Sequence, residues 1–527
     1  MLLSHSPLGV LVPRSTPVRI VKRLTAAGLN AEREAVTLLA GAGDPDAAVD
    51  ELVDRIDQTA VTITTEDVKP VLSGDRVRTD KTTVSNGGQT DQNPKQSSGS
   101  SAEIKGVSTG TRSAGSDRSG TRSGRNPEQP TIEGDVTGES TGTGIYEDFV
   151  SVFRDRYDRL SGMLRGRVDH RPTDALEKMP GGAEAALIGM VSDIRSTRNG
   201  HYLVDLEDTN GTFPALVMKD RAFADAVDEL LLDEVIAVQG TLADDSGILF
   251  ADNLFFPDVP RTFEPSTADR HVRAALVSDL HVGSQEFLED AWRNFTDWLH
   301  TEAAEAIEYL LIAGDMVEGV GVYPDQDEEL DVIDIYEQYE LFAEYLKAVP
   351  GDLEIVMIPG NHDAVRLAEP QPGFEADLRE IMTAHDATVA GNPSTVTIEG
   401  VSFLLYHGVS LDELVAEMPM ESVSYDTPAR AMAQLVKKRH LAPKFGGKNR
   451  IAPEKRDYMV IEDIPDVVHS GHVHKLGVDA YHKVRLINSG CFQGQTAFQR
   501  SVNISPDTGT VPIVDLDTLD VTVRKFS

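Results

Sequence analysis

Five short segments carry residue types suited to holding metal ions beside a phosphodiester: Asp279-Leu280-His281, Gly314-Asp315, Gly360-Asn361-His362-Asp363, His407-Gly408 and Gly471-His472-Val473-His474. Hard and borderline divalent cations take carboxylate, amide oxygen and imidazole ligands, and this set supplies all three. Phosphodiester hydrolysis needs charge neutralised on the phosphate oxygens and a hydroxide generated near neutral pH. Two ions ~3.5–4 Å apart supply both. In the last segment, residues i and i+2 of an extended chain face the same side. His472 and His474 are therefore expected to face one cavity, with Val473 turned into the packing. Each piece alone has a plainer reading: Asp279 as a turn cap, His407 as a hydrogen-bonded core histidine, Asn361 in an Asx-turn. Their joint occurrence in one order is what argues for a site.

The elements that must position these residues repeat a rhythm. The apolar runs "HVRAALV", "EYLLIAGD", "LEIVMIPGNHD", "VSFLLYH" and "DVVHSGHVH" each deliver a ligand type just past their C-terminal end. In open α/β sheets, sites form in the crevice at the carboxyl ends of the strands. Leu288, Trp292, Phe295 and Leu299 mark an amphipathic helix between the first two runs, and Ile335, Tyr339, Phe342 and Leu346 mark another between the next two. Alternation of this kind predicts an α/β domain over residues 261–527.

Upstream the character changes. Residues 1–72 read as a small helical module, with Thr16-Pro17 and Asp44-Pro45 as capping side chains before a first-turn proline and Val49, Leu52, Val53 and Ile56 on one helix face. Residues 73–145, poor in large apolar residues and rich in Gly, Ser and Thr, are expected to be a disordered linker. A connecting helix is expected within 146–183, with Phe149, Phe153, Leu160 and Leu164 on one face. Residues 184–260 hold about five short strand-like runs, the first two joined around Asn199-Gly200, which suits a small barrel of the oligonucleotide-binding type. No cluster of aromatics along that region marks a surface for stacking bases.

With 86 acidic and 49 basic residues the net charge is −37. Such an excess reads either as a solvated acidic surface or as adaptation to molar salt, as in halophilic archaea; at ~1 M salt the Debye length falls to ~3 Å and self-repulsion is tolerated. The single cysteine, Cys491, rules out an internal disulfide and a cysteine zinc cluster. No run is apolar enough to span a bilayer and the start carries no basic leader, so a cytoplasmic location is expected. Against this acidic background, Lys437, Lys438, Arg439, Lys444, Lys448 and Arg450 crowd one short stretch, continued by Lys455 and Arg456. The run is either a solvated loop or a surface that binds DNA or a partner subunit.

Taken together, "DLH", "GD", "GNHD", "YHG" and "GHVH" resemble the motif series of the calcineurin-like metallophosphoesterases, particularly their nuclease branch. Longer stretches over about 147–527, including "FRDRYDRLSGMLRGR", "FFPDVPR" and "INSGCFQGQTAFQ", resemble the family of small subunits of archaeal family-D DNA polymerases. That resemblance implies one metal held by Asp279, His281 and His474, a second held by Asn361, His407 and His472, and Asp315 bridging the two. His362 would face the scissile phosphate, acting as general acid or stabilising the leaving oxygen. It further implies 3′–5′ exonuclease activity on single-stranded or mismatched DNA ends with Mn2+ or Mg2+. A large polymerising subunit is the implied partner, in a heterodimer or heterotetramer, and contact with a sliding clamp is left open. The competing expectations are a catalytically silent scaffold subunit and a stand-alone phosphodiesterase acting on small esters.

Overall fold

The computed structural model describes residues 127–527, apart from 324–325, 383–385 and 502, together with short segments between residues 20 and 71. The chain divides into two units, residues 1–116 and 117–527. In the first, a helix spans Pro45–Arg55 and begins at its proline; Val49 and Leu52 are buried on it, as the periodicity requires. A short parallel pair joins β1 (Asn30–Ala31) to β2 (Thr62–Ile63). The caps at Thr16 and Asp44, the helical position Ile56, and residues 73–126 of the expected linker lie outside the described residues.

The remainder of that linker is not one. Residues 131–133 form β3 (Thr131–Glu133), which pairs with a strand far along the chain. Beyond it, Asp135 accepts hydrogen bonds from the Thr137 and Gly391 backbone N–H groups at 2.9 Å. Thr137 Oγ1 accepts another from Gly373 N at 2.8 Å. Composition predicts no structure here because the stretch has almost no apolar surface of its own; it is ordered by hydrogen bonds to a domain remote in sequence.

A helix over Tyr146–Arg165 follows, then five strands: β4 (Glu184–Ser196), β5 (Tyr202–Asp208), β6 (Gly211–Val217), β7 (Val235–Leu242) and β8 (Leu249–Phe255). They close into a barrel in the order β4-β5-β6-β8-β7. Leu187, Val191, Val204, Leu206, Phe213, Ile236 and Val238 fill it, on alternate positions of their strands. The helix buries Leu160 and Leu164 against Ala186, Ile188, Val235 and Ala237 of the barrel. From its side, Arg156 is buried against Asp457 of the following domain at 2.7 Å.

The rest is a sandwich of two six-stranded sheets. The strands are β9 (Arg273–Val277), β10 (Ile307–Ala313), β11 (Glu354–Ile358), β12 (Thr388–Val389), β13 (Ser394–Ile398), β14 (Val401–Leu405), β15 (Val467–Ser470), β16 (Leu476–Tyr481), β17 (Val484–Ser489), β18 (Thr510–Asp515) and β19 (Asp520–Lys525). One sheet runs β12-β11-β10-β9-β18-β19, the other β16-β17-β15-β14-β13-β3. Period-two alternation assigns the faces. Ala274, Leu276, Leu311, Val356 and Ile358 meet Val396, Phe403, Leu405 and Val467 between the sheets. On the outer face of the first sheet, Ala275, Val277, Leu310 and Met357 meet Trp292, Phe295, Tyr339 and Phe342, from the two helices expected there (Glu289–Leu299 and Ile335–Leu346). On the outer face of the second, Leu404, Val468 and Leu486 meet Leu414, Met432 and Leu435 of helices Leu411–Glu417 and Pro428–Lys438. Every residue of β10 is buried, as a parallel strand covered on both faces should be.

Candidate metal centre

All five chemistry-bearing segments leave the carboxyl ends of parallel-paired strands: Asp279 and His281 after β9, Asp315 after β10, Asn361 and His362 after β11, His407 after β14, and His472 and His474 after β15. The turns are tight. Asp279, His281, Asp315, His472 and His474 all adopt left-handed backbone conformations, with φ between +52° and +70°. Non-glycine residues reach that region only where the surroundings impose it, and such strain gathers at functional sites. Adjacent glycines make room: a Cβ on Gly360 would lie 2.2 Å from Asp315 Oδ1, and one on Gly471 would lie 2.2 Å from Asp279 Oδ2. The extended-strand argument for His472 and His474 is therefore corrected. β15 ends at Ser470, and the two imidazoles are aimed by left-handed kinks rather than by pleat alternation.

Three overlapping groups of potential ligand atoms result. Asp279, His281 and His474 each offer an atom within 4.8 Å of the others, as do Asp315, His407 and His472, and as do His281, Asp315 and His362, which share members with both. In the first group the two Nε2 atoms of His281 and His474 are 3.1 Å apart and His474 Nε2 is 3.5 Å from Asp279 Oδ1. In the second, His407 Nε2 is 3.1 Å from both Asp315 Oδ2 and Asn361 Oδ1. Asp315 stands between the groups, its Oδ2 also 3.7 Å from His281 Nε2. Lone pairs facing one another at these spacings repel unless a proton or a cation lies among them, so the donor set fits a pair of divalent ions. The outer ring nitrogens are held from behind. His407 Nδ1 donates to the Ala313 carbonyl at 2.8 Å, and His281 Nδ1 lies 2.8 Å from the Glu318 carboxylate. Both arrangements leave Nε2 for the site.

The electrostatics agree. Burial disfavours a charged His281 ring, yet Glu318, Asp315 and Asp279 outweigh it and hold its pKa up at about 9. His407 is likewise buried, but Asp315 and then Asp279 raise it to about 10. Burial and the neighbouring Asp315 push Asp279 up, while Asp315, against its own burial, is held well below the ordinary carboxylate range by His407, His362 and His281. Protons on His281 and His407 thus balance carboxylates that a cation would otherwise neutralise. A cleft of about 620 Å³ opens onto this cluster, lined by His281, Asp315, His362, His472 and His474 and, beyond them, by Tyr323, Tyr425, Lys448 and Phe498.

A family model for the B subunits of DNA polymerases alpha and epsilon matches residues 274–475, the span that contains every one of these ligand types. The chain is 63% identical over 519 residues to the DNA polymerase II small subunit of Halobacterium salinarum (strain ATCC 29341 / DSM 671 / R1), covering 98% of this chain and 100% of the relative. The chain belongs to the archaeal DNA polymerase II small subunits, family D. More distant members align over less of the chain: that of Archaeoglobus fulgidus is 42% identical over 387 residues, covering 72% of this chain and 77% of its own length. That of Methanocaldococcus jannaschii is 40% identical over 395 residues, covering 73% and 66%.

In this small subunit His362 lies beside the cluster, its backbone N–H donating to Asp315 Oδ1 and its Nδ1 to the Glu318 carbonyl, both at 2.8 Å. Its Nε2 is left for the cleft. The basic run behaves otherwise than expected. Lys438 is fully buried, donating to Glu234 at 2.6 Å and to the Glu229 carbonyl at 2.8 Å. Lys437 pairs with Glu229 at 3.1 Å, Lys444 with Glu413 and Glu417, and Arg439, 4% exposed, donates to the Ile461 carbonyl. Lys438 and Arg439 are thus buried cross-links between the helix Pro428–Lys438 and neighbouring elements, while Lys437 and Lys444 make their ion pairs from half-buried positions. Lys448 and Arg450 are exposed, and of the two only Lys448 lines the cleft.

Sequence reasoning missed the supports. Glu318, three residues past Asp315 and 2% exposed, braces His281 and His362 and accepts from Gln493 Nε2 at 2.7 Å. Asp363 is buried beside Asp315, and burial first, then that charge, raise it to about 7; it accepts from Gly360 N and Tyr339 OH. A carboxylate so soon after a ligand was the available signal for Glu318.

Proposed function

We propose that this chain is a two-metal 3′–5′ DNA exonuclease serving a large polymerising subunit, with a calcineurin-like phosphoesterase sandwich and a barrel of the oligonucleotide-binding type. The observation that carries the reading is the carboxylate of Asp315 between two histidine-bearing trios at the mouth of one cleft. Asp279, His281 and His474 would hold one ion, Asn361, His407 and His472 the other, and Asp315 both; Mn2+ and Mg2+ suit the mixed oxygen and nitrogen donors. When bound, the ions supply charge neutralisation at the phosphodiester and activation of water near neutral pH. The chain's own residues do the rest. Glu318 and the Ala313 carbonyl fix the orientation of His281 and His407, and the Glu318 carbonyl fixes His362 with Nε2 toward the cleft, where a protonated ring can donate to the departing 3′ oxygen. The four-layer sandwich and the five-stranded closed barrel support the domain readings, and the named relatives support a polymerase partner and a DNA substrate.

The test is incubation of the purified chain with Mn2+ and a 3′-labelled single strand, beside a small phosphodiester, for wild type, Asp315→Ala and His362→Ala. Stepwise 3′ loss abolished by both changes is expected. No loss with or without the large subunit would leave a scaffold, and turnover of the small ester alone would leave a phosphodiesterase.

A further inference from the structure

The stretch "FQGQTAFQ" (492–499) lines the cleft with Thr496 and with three larger side chains that are not among the candidate metal ligands. Two are anchors: Gln493 Nε2 donates to Glu318 at 2.7 Å and to Ser284 at 3.0 Å, and the Gln499 amide lies 2.9 Å from His474 Nδ1. Gln495 adds a bond from Nε2 to the Ile504 carbonyl at 2.7 Å, and the Ile504 N–H returns one to the Gln499 carbonyl at 2.9 Å. The third is Phe498, on the short helix Ala497–Ser501. It is pinned between anchors that touch a ligand imidazole and its carboxylate brace, yet 67% exposed. Single exposed apolar side chains are common, so what distinguishes this ring is its place on the cleft that opens onto the candidate ligand cluster. It lines the same cleft as the metal cluster, with Val473 and Ile504 continuing the apolar wall. Lys448, exposed, is the only lysine or arginine on that cleft among the described residues.

An apolar ring and a cation beside a phosphate-hydrolysing centre match a nucleotide, which offers a π face and an anionic backbone. We infer that Phe498 is the stacking platform for the terminal base of a single-stranded 3′ end, with Lys448 contacting a backbone phosphate of the same strand. The inference rests on the exonuclease reading for what the cleft does, and it names what holds the substrate there. A small ester has no base to place on the ring, so the platform favours polynucleotide over other esters. Base–aromatic stacking is worth roughly 5- to 100-fold in affinity per base.

The experiment uses the full chain and a 5′-fluorescein oligothymidylate, either intact or ending in a 3′ abasic sugar. Fluorescence anisotropy with Ca2+ in place of Mn2+ gives affinity, and product release in Mn2+ gives turnover. Wild type should bind the intact end about 5- to 100-fold more tightly than the abasic one. Phe498→Ala should bind both alike, and Phe498→Trp should restore the difference. Lys448→Gln should reduce the slope of log affinity against log salt by about 0.7. A wild type that does not discriminate, or a Phe498→Ala that still does, overturns the platform; an unchanged salt slope removes Lys448 from the contact. Discrimination in Ca2+ without any release in Mn2+, alone or with the large subunit added, would refute the nuclease reading and leave the platform standing.

Discussion

Glu318→Gln separates the charge of a buried carboxylate from its shape. Its Oε2 is 2.8 Å from His281 Nδ1 and accepts from Gln493 Nε2 at 2.7 Å, while Oε1 accepts from Tyr323 OH at 3.2 Å and Gln326 Nε2 at 3.3 Å. A carboxylate serves all four donors. An amide can turn its oxygen toward only one pair, and its NH2 then meets donors on the other side. With the oxygen toward His281, the Gln326 amide faces another amide nitrogen; with it reversed, His281 loses its acceptor. Either way the anionic support that orients the His281 ring is gone. Loss of such a partner typically weakens metal affinity by ~10–100-fold, about 1.4–2.7 kcal/mol. Titration of Mn2+ against a fluorescent chelator should show that loss, with the backbone fold retained by circular dichroism. Glu344→Gln, on an exposed helix face, is the control. If Glu318→Gln binds Mn2+ as wild type does, the bracing role assigned to this carboxylate is wrong.

Four further outcomes follow from the site, the buried ion pair and the net charge. Because His281 and His407 are held up at about 9 and about 10, metal binding below those values must release protons, so Mn2+ affinity should rise with pH by up to about tenfold per unit for each proton released. In metal-free protein the sign is the opposite: raised imidazoles contribute stability fully below pH ~6.5, and it fades as pH climbs through about 9 to 10, readable as a falling melting temperature. Lys438→Ala leaves Glu234 buried without its cation and should destabilise the fold by about 3–5 kcal/mol in urea unfolding, much of it recovered in Lys438→Met with Glu234→Gln. With a net charge of −37, the melting temperature should climb as KCl rises from ~0.1 to ~1 M and the Debye length contracts from ~10 to ~3 Å; a flat profile would show that self-repulsion does not limit stability.

What the sequence made legible was local. The runs ending in Asp279, Asp315, Asn361, His407 and His472 could be read because strand and ligand lie within a few residues, and the α/β rhythm of Trp292, Phe295, Tyr339 and Phe342 follows from helical period alone. One misreading is local, the left-handed turns that aim His472 and His474; the others involve partners that are remote in sequence. Lys438 meets Glu234 across 204 positions, so part of a run of cations that looked like a surface is an internal cross-link. Residues 131–140 looked structureless because their hydrogen-bonding partners are contributed by Gly373, Gly391 and β13. Phe498 looked like an ordinary apolar residue; only its exposed place on the cleft, beside anchored glutamines, sets it apart.

β3 has a consequence for the behaviour of a shortened chain. Its three residues take the register Thr131↔Thr397, Ile132↔Val396 and Glu133↔Thr395, and so occupy the open flank of β13. Remove residues 127–145 and that flank presents the free N–H and C=O groups of Ser394-Thr395-Val396-Thr397-Ile398, an uncharged and almost wholly β-branched strand. Such an edge is a template for intermolecular pairing and for aggregation. A chain begun at Tyr146 would keep every residue of the candidate metal centre and still lose solubility, so the short segment ahead of the barrel acts as an aggregation guard for the sandwich that follows it.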